Sequence, residues 1–315
     1  MAFKDKHIRL ILSNYDIGAG KKGAANGTEA LRKALGGLGL EFNNYKTLNT
    51  NGHLSEADQF PNCKHIDAIS EAAQILNNEV QSAVLKGEFP LIFSGDHSNA
   101  IGGISGLKNA HPDKRIGVLW IDAHADLHSP YTTPSGNMHG MPLAALTSCD
   151  NLAMKRNEVS PAEAEAWNRL KTIGEQSISP KIKPEDLVFI GIRDAEAEEW
   201  KLIDNCQIKT FEPDDIRTHG IYHVLNDSLA HLSACDLIYV SFDVDSLDPE
   251  IAVGTGTTAP DGLKLNEAEG VFRTVMQLPN LAAFEITEIN PGLDQGNRRM
   301  ADVVAALFAY GIAGN

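Results

Sequence analysis

Short apolar runs alternate with longer amphipathic stretches along most of the chain. The apolar runs lie at residues 8–12, 90–94, 116–121, 187–192, 237–242 and 281–286. Several are apolar almost throughout, which is typical of strands buried on both faces of a parallel sheet. Helical patterns lie between or beside them at residues 27–35, 65–85, 99–108, 162–170, 222–232, 266–276 and 297–310. The alternation predicts βαβ units and a doubly wound α/β fold.

No linker divides the 315 residues of the chain. The one long interruption of the pattern, residues 148–183, is polar and contains Pro161 and Pro180. We interpret it as a surface excursion and not as a domain boundary. The sequence therefore predicts a single domain over residues 1–315.

Composition and charge restrict the possible partners. The formal net charge is −15, and no basic face is obvious, which disfavours binding to nucleic acid or to an anionic membrane. The four cysteines are scattered, as expected for reduced thiols. The first apolar stretch is too short for a signal peptide or a membrane span, so we expect a cytoplasmic protein.

Metal-ligating residue types follow three of the predicted strands. The set comprises His97, Asp122, His124, Asp126, Asp243 and Asp245. Because the carboxyl ends of parallel strands line one crevice, these side chains can converge. Asp122, His124 and Asp126 alternate, so in an extended chain they would project to one side, and Asp243 and Asp245 share this spacing.

Four carboxylates in one dry pocket would repel each other strongly. Either several of them are protonated or cations neutralise them. Oxygen ligands mixed with two imidazoles suit Mn²⁺ or a related divalent ion, and four negative charges suit two such ions about 3.5–4 Å apart. Two further acids, Asp96 and Asp248, are interpreted as turn residues.

Four segments of the sequence resemble motifs of the arginase family of ureohydrolases, which includes arginases, agmatinases and formimidoylglutamases. They read SGDHSNAIGGISG, DAHADLHSPYTTPSGNMHGMP, SFDVDSLDPEIAVGTGT and EITEINP. The resemblance implies a three-layer αβα fold with an eight-stranded parallel sheet, assembly into homo-trimers or homo-hexamers, and two Mn²⁺ ions per subunit. One ion would be held by His97, Asp122, Asp126 and Asp243. The other would be held by His124, Asp122, Asp243 and Asp245.

The resemblance also implies catalytic roles. A hydroxide between the two metals would attack the guanidinium carbon, and Asp126 would hydrogen-bond it and pass its proton to the leaving amine. Glu288 would orient the guanidinium, although it could also be only a strand-end carboxylate. His139 would shuttle protons to solvent or, alternatively, serve only packing. Thr257 would lie near the reacting group or be a structural loop residue.

Substrate recognition is implied by two further segments. Thr133, Ser135 and Asn137 match the arginase loop that receives the α-carboxylate of arginine. The acidic residues Asp194, Glu196 and Glu199 match the stretch that binds the α-amino group, or they only mark the start of a helix. Two departures from the arginase pattern stand out: His128 replaces an Asn expected near the carboxylate, and the Pro-Gly turn after Asp194 is absent.

The leading hypothesis is an arginase, a small-molecule enzyme that cleaves the cation L-arginine to L-ornithine and urea. The alternatives are an agmatinase, a hydrolase of a guanidino acid such as 4-guanidinobutyrate, a formimidoylglutamase, and a catalytically silent family member. The extra acids of the pocket disfavour formimidoylglutamase. An intact set of metal-ligand and catalytic residue types disfavours the silent member.

Replacing both Ser135 and Asn137 by Ala should reduce kcat/KM for L-arginine far more than for agmatine. Agmatine has no carboxylate, so it cannot lose the hydrogen bonds that the two side chains would donate. Steady-state kinetics with both substrates measure the difference. Equal losses would remove the case for carboxylate recognition by this loop.

Overall fold

Eight strands form one sheet in the computed structural model, which describes residues 3–49, 60–251, 253–295 and 299–313. The strands are β1 (Ile8–Ser13), β2 (Tyr45–Leu48), β3 (Phe89–Ser94), β4 (Ile116–Ile121), β5 (Leu187–Ile190), β6 (Lys209–Phe211), β7 (Leu237–Asp243) and β8 (Leu281–Thr287). Their order across the sheet is β2-β1-β3-β8-β7-β4-β5-β6. Every pairing between neighbours is parallel.

The predicted α/β fold with an eight-stranded parallel sheet is confirmed. All six strands predicted from apolar runs are present, within a few residues at their ends. The two strands that the pattern did not predict, β2 and β6, lie at the two edges of the sheet. Both are short, and β2 has only one buried residue, Leu48. An edge strand half open to solvent needs no apolar run, so hydrophobicity alone gives little sign of it.

Ten α-helices connect the strands within the described residues. They are α1 (Gly27–Gly37), α2 (Ile66–Leu85), α3 (Ala100–Ala110), α4 (Pro142–Thr147), α5 (Pro161–Lys171), α6 (Ala197–Cys206), α7 (Pro213–His219), α8 (Ile221–His231), α9 (Leu265–Val275) and α10 (Met300–Ala313). The predicted start of the last helix, Asn297, lies outside the described residues. Two helices without a predicted counterpart, α4 and α7, have 6 and 7 residues, too few for a clear helical period. For α6, only the start was predicted, as one interpretation of the acidic stretch. No helix in the described ranges is both long and apolar enough to cross a membrane.

The middle of the sheet is buried on both faces, which gives three layers. Along β1, Leu10 and Leu12 pack in a core with helices α1, α8, α9 and α10, whereas Ile11 packs on the opposite side with α2 and α3. This alternation explains why the central strands are apolar throughout, since each successive side chain meets a layer of helices.

The segment 148–183 runs largely over the surface, as interpreted, but its helix also packs on the rest of the protein. It contains α5, whose Trp167 is fully buried in a third apolar cluster together with residues of α2 and α4. The indole Nε1 donates to Asp150 Oδ1 at 2.8 Å. The polar composition of the segment gives little sign of this contact, because only one side of α5 faces the rest of the protein.

Replacing Leu76 by Ala should lower the free energy of unfolding by about 2–5 kcal/mol, because this side chain of α2 is fully buried and its removal leaves a cavity. The same substitution at Leu85, the last residue of α2, is a matched control, since Leu85 is 67% exposed. Urea denaturation of both variants measures the difference. Similar losses in the two would contradict the placement of α2.

Candidate active site

Four neighbouring strands in the middle of the sheet carry the predicted site at their carboxyl ends. In the order β3-β8-β7-β4, they are followed or ended by His97, Glu288, Asp243 and Asp122. Parallel strands end at the same edge of a sheet, so motifs far apart in sequence meet in one crevice. The predicted convergence of the three ligand motifs is therefore observed.

The first cluster surrounds the ring of His97. The Nδ1 atom of His97 lies 3.0 Å from Asp122 Oδ2, 3.1 Å from Asp126 Oδ2 and 3.1 Å from Asp243 Oδ2. The residue is buried, yet this nitrogen has no partner in hydrogen-bonding geometry. One imidazole nitrogen within 3.1 Å of three carboxylate oxygens fits the coordination shell of a divalent cation better than a hydrogen-bond network.

The second cluster shares Asp122 with the first. His124 Nδ1 lies 3.1 Å from Asp245 Oδ2 and 3.5 Å from Asp122 Oδ1. Asp122 thus directs one oxygen to each cluster, as expected of a carboxylate that bridges two ions. The bridging role predicted for Asp243 stays a prediction, because its Oδ2 contact is with the first cluster.

Burial shifts the pKa values of the aspartates in the two clusters. It raises the pKa of Asp126 to about 6, with help from the neighbouring charge of Asp122. Burial and the charges of Asp245 and Asp122 raise the pKa of Asp243 well above its usual value. For Asp122, burial acts to raise the pKa, but the adjacent imidazoles of His124 and His97 outweigh it and lower the pKa. Such a donor set is suited to cations, which would stabilise all the carboxylates in their ionised form.

The ligands converge through turns and not through extended chain, so the predicted geometry of these segments was wrong. Strand β4 ends at Ile121, residues 122–124 form a bend, and Asp126 has a left-handed backbone with φ of 52°. Asp245 lies in a 3-10 turn after β7. Glu288 is also left-handed, with φ of 65°. Non-glycine residues in this region carry backbone strain of about 1–3 kcal/mol each, which is often found at functional sites.

A hydrogen-bonded network behind His97 was not predicted. His97 Nε2 lies 2.8 Å from Ser241 Oγ, and that hydroxyl donates to Glu285 Oε2 at 3.1 Å. Tyr239 and Ser94 also donate to Glu285, which is fully buried. Networks of this kind orient a metal-ligating histidine and set its tautomer. The available signal was Glu285 itself, a charged residue inside an otherwise apolar strand.

Trp120 supports the first cluster from one side. Its ring stacks on that of His97, with centroids 3.9 Å apart and planes 5° from parallel, and its Nε1 donates to Asp122 Oδ2 at 3.0 Å. Asp96 has the structural role expected of it. Its Oδ2 accepts from the backbone N–H groups of Gly18 and Ala19 and holds that loop beside the crevice.

Glu288 and His139 form a pair next to the first cluster. Glu288 Oε1 accepts from the backbone N–H of His97 at 3.1 Å and lies 3.2 Å from His139 Nδ1. Burial acts to lower the pKa of His139, but the hydrogen bond and the charge of Glu288 outweigh it and raise the pKa to about 9. The two residues are brought together as the predicted roles require, while the roles themselves stay predictions.

A cleft of about 210 Å³ opens over the two clusters. The loop residues Thr133, Ser135 and Asn137 line it, and Thr257 lies at its edge with Oγ1 donating to Asp245 Oδ2 at 3.0 Å. The loop is a series of tight turns and not an extended segment: Thr133 Oγ1 accepts from the Gly136 N–H, and Ser135 Oγ accepts from the Asn137 N–H. All the predicted carboxylate-binding residues therefore face one cleft.

The opposite wall is the start of α6. Glu196 immediately precedes the helix, Glu199 lies in its first turn, and both line the cleft with Asp194 and His128. Glu199 is buried, and its Oε1 accepts from the Leu127 N–H while its Oε2 accepts from the Glu196 N–H. The acidic stretch is thus a helix start and a pocket wall at once, so the two interpretations are compatible.

The fold and the crevice define an α/β enzyme with a candidate two-ion centre, and comparisons with known proteins narrow the class. The model of the Arginase family matches residues 6–313. The arginase of Brevibacillus brevis is 32% identical over 311 residues, covering 96% of this chain and 97% of that protein. The arginase of Emericella nidulans is 38% identical over 230 residues, covering 72% of this chain and 66% of that protein.

Solved structures agree. The arginase of Bacillus caldovelox has a TM-score of 0.81 at 31% identity, covering 98% of this chain and 99% of that chain. The arginase of Entamoeba histolytica, solved in complex with L-ornithine, has a TM-score of 0.81 at 26% identity, covering 98% of both chains. A hypothetical agmatinase from Burkholderia thailandensis, 18% identical with a TM-score of 0.69 and covering 97% of this chain and 84% of that chain, shares the fold alone. The chain belongs to the arginase family and is a hydrolase that acts on guanidino compounds.

Adding Mn²⁺ to the metal-free protein should raise the Tm, because an ion that binds only the folded chain stabilises it by about 2.7 kcal/mol at a concentration 100 times its Kd. Asp243→Asn should lose most of this rise, since the substitution removes a charged oxygen from the first cluster. Differential scanning calorimetry with and without Mn²⁺ measures both. Asp204→Asn, an exposed site on α6, is the matched control and should keep the full rise. An equal rise in all three proteins would contradict the assigned ligands.

Proposed function

We propose that the protein is an arginase that hydrolyses L-arginine to L-ornithine and urea with two Mn²⁺ ions per subunit. The observation that carries this proposal is the composition of a single cleft. Its floor presents the two carboxylate–imidazole clusters, one wall presents the Thr133–Asn137 turns, and the other presents the acidic start of α6. A guanidinium at the floor and an amino acid head group at the rim would use all three surfaces.

The residues present fit the two ions. His97, Asp122, Asp126 and Asp243 would hold one, and His124, Asp122, Asp243 and Asp245 the other. When bound, two such cations lower the pKa of water so that hydroxide is available near neutral pH. The guanidinium group is a poor electrophile because it is stabilised by resonance, and an activated nucleophile is what its hydrolysis needs.

Three side chains around the clusters would position the substrate and move protons. Glu288 would pair with the guanidinium. Its Oε1 is already held by His97 and His139, so we expect Oε2 to accept from the substrate. Asp126 would accept a proton and pass it to the leaving amine. His139, partly exposed at the cleft, would exchange that proton with solvent. Thr257 would keep Asp245 oriented through its hydroxyl.

Recognition of the amino acid end favours arginine over its relatives. Ser135 and Asn137 offer hydroxyl and amide donors to a carboxylate, while Asp194 and Glu196 offer exposed acceptors to an ammonium group. The E. histolytica arginase, of the same fold, is known with L-ornithine bound. Agmatine, which has only the ammonium group, is the second candidate substrate, because the acidic wall alone would suffice for it. A guanidino acid such as 4-guanidinobutyrate has only the carboxylate, so it would use only the wall formed by the Thr133–Asn137 turns.

Three other predictions belong with this proposal. The family resemblance implies a homo-trimer or homo-hexamer. The sequence pattern predicts one domain over residues 1–315 and a cytoplasmic location. Each of these stays a prediction and does not bear on the chemistry of the cleft.

Urea release by the Mn²⁺-loaded protein from L-arginine and from agmatine, at equal concentration, tests the substrate. We expect kcat/KM to favour arginine by two or more orders of magnitude, because only arginine engages both walls and a site left with unpaired polar groups discriminates strongly. Preference for agmatine would overturn the arginase proposal while leaving the metal chemistry in place.

Asp126→Asn is the companion variant. The amide keeps the size of the side chain but cannot take up a proton, so kcat for arginine should fall by about 100-fold or more. Circular dichroism and the Tm of the metal-free variant check that the fold persists. A kcat close to that of the unsubstituted protein would exclude the proton-transfer role of Asp126.

A further inference from the structure

His128 is mostly buried in the wall of the cleft, and its ring nitrogens face protein partners. The residue is 6% exposed, and its backbone N–H donates to Gly140 O at 3.1 Å. Ring atom Nδ1 lies 3.1 Å from Thr132 Oγ1, and ring atom Nε2 lies 3.0 Å from Glu196 Oε2. Both ring nitrogens therefore have partners within the protein, so neither is in position to donate to a substrate carboxylate.

The direction of the Nε2 hydrogen bond follows from its partner. The hydrogen bond with His128 is the largest influence on the Glu196 carboxyl and lowers its pKa to about 2, so Glu196 is ionised and can only accept. His128 Nε2–H is the donor. Thr132 Oγ1 accepts from the Ser129 N–H at 3.0 Å, and its own hydrogen has two acceptors within reach, His128 Nδ1 at 3.1 Å and Ser129 O at 3.5 Å.

Of the two glutamates in this wall, only Glu196 stays open to a ligand. The side chain of Glu199 is 3% exposed, and both of its oxygens accept from backbone N–H groups. The side chain of Glu196 is 49% exposed, so His128 fixes one of its oxygens while the carboxylate still faces the cleft. A glutamate has more torsional freedom than the shorter aspartate, and holding it in place before the substrate arrives removes part of the entropic cost of binding.

We propose that His128 is a positioning residue for the ammonium group of the substrate: it holds Glu196 over the cleft, and Glu196, not His128, contacts the substrate. This assignment rests on the proposed function and moves His128 from the carboxylate side of the recognition site to the ammonium side. It explains how the pocket keeps an amino-binding acid without the Pro-Gly turn, because a side-chain hydrogen bond replaces the rigidity that such a turn would supply.

Two substitutions of His128 separate the roles of its ring nitrogens. Glutamine can place an N–H donor near the position of Nε2, whereas asparagine reaches only to the position of Nδ1. His128→Asn should raise KM by about tenfold, the equivalent of about 1.4 kcal/mol, with a much smaller change in kcat. His128→Gln should recover most of the loss. His223→Asn, on the exposed side of α8, is the matched control and should keep the original KM.

Three substrates identify which group of the substrate, ammonium or carboxylate, depends on His128. L-arginine has both the ammonium and the carboxylate, agmatine has only the ammonium, and 5-guanidinopentanoate has only the carboxylate. The proposal requires that His128→Asn raise KM for arginine and agmatine and leave it nearly unchanged for 5-guanidinopentanoate. A rise for arginine and 5-guanidinopentanoate alone would overturn it in favour of carboxylate binding. Equal losses for all three, or a loss confined to kcat, would also overturn it, since they would indicate a general structural defect.

A double-mutant cycle tests the link to Glu196. If His128 acts only through Glu196, then His128→Asn should add little to the KM of Glu196→Gln. Additive effects of the two substitutions would overturn the proposal.

Calorimetric binding of L-ornithine and of 5-aminopentanoate, which lacks the α-amino group, provides a readout that does not need turnover. His128→Asn should weaken only the binding of ornithine. If the protein released no urea from arginine, the proposed function would fail, yet this titration would still decide the role of His128. Failure of ornithine to bind, or equal weakening of both ligands, would count against it.

Discussion

Four aspartates buried at the carboxyl ends of the central strands are the constraint on which the rest of the structure depends. Asp122, Asp126, Asp243 and Asp245 lie within hydrogen-bonding distance of two imidazoles and almost out of contact with water. Isolated charges in such a place would be strongly unfavourable, so the folded protein must balance them with cations or with protons. The stacking of Trp120 on His97 and the network through Ser241 and Glu285 keep the ligands in position for that balance.

The sheet makes this concentration of charge possible because its middle is rigid. The four strands that carry the site are neighbours, and helices cover both of their faces. The strained backbone at Asp126 and at Glu288 is held by this surrounding structure. The proposed recognition of the substrate would use other parts of the fold. The loop after β4 and the start of α6 supply the rim of the cleft, and the hydrogen bond between His128 and Glu196 joins the two. In the proposed function, chemistry and recognition therefore depend on separate parts of the fold.

Much of this could be predicted from the sequence. The central strands were recognisable because strands buried on both faces need apolar residues at every position, and the ligand motifs because each follows such a strand. The edge strands β2 and β6 and the short helices α4 and α7 were not recognisable, since partial exposure or short length leaves no clear period. Trp167 was hidden for a related reason: one buried face within a polar segment is a weak signal.

The sequence by itself determined the fold class, the family and the identity of the residues in the crevice, because these depend on local patterns of apolar and metal-ligating residues. Only the tertiary structure decided how those residues meet. The bend after β4 and the left-handed backbone of Asp126 bring the ligands together, where an extended chain would have been the simplest expectation. Glu285 lies behind His97 in a supporting network, and the ring of His128 contacts Glu196 within the wall of the cleft. The physical reason is that these hydrogen-bond partners are far apart in sequence. Tyr239 and Glu285 are separated by 46 residues and His128 and Glu196 by 68, so packing and not spacing along the chain decides which groups pair.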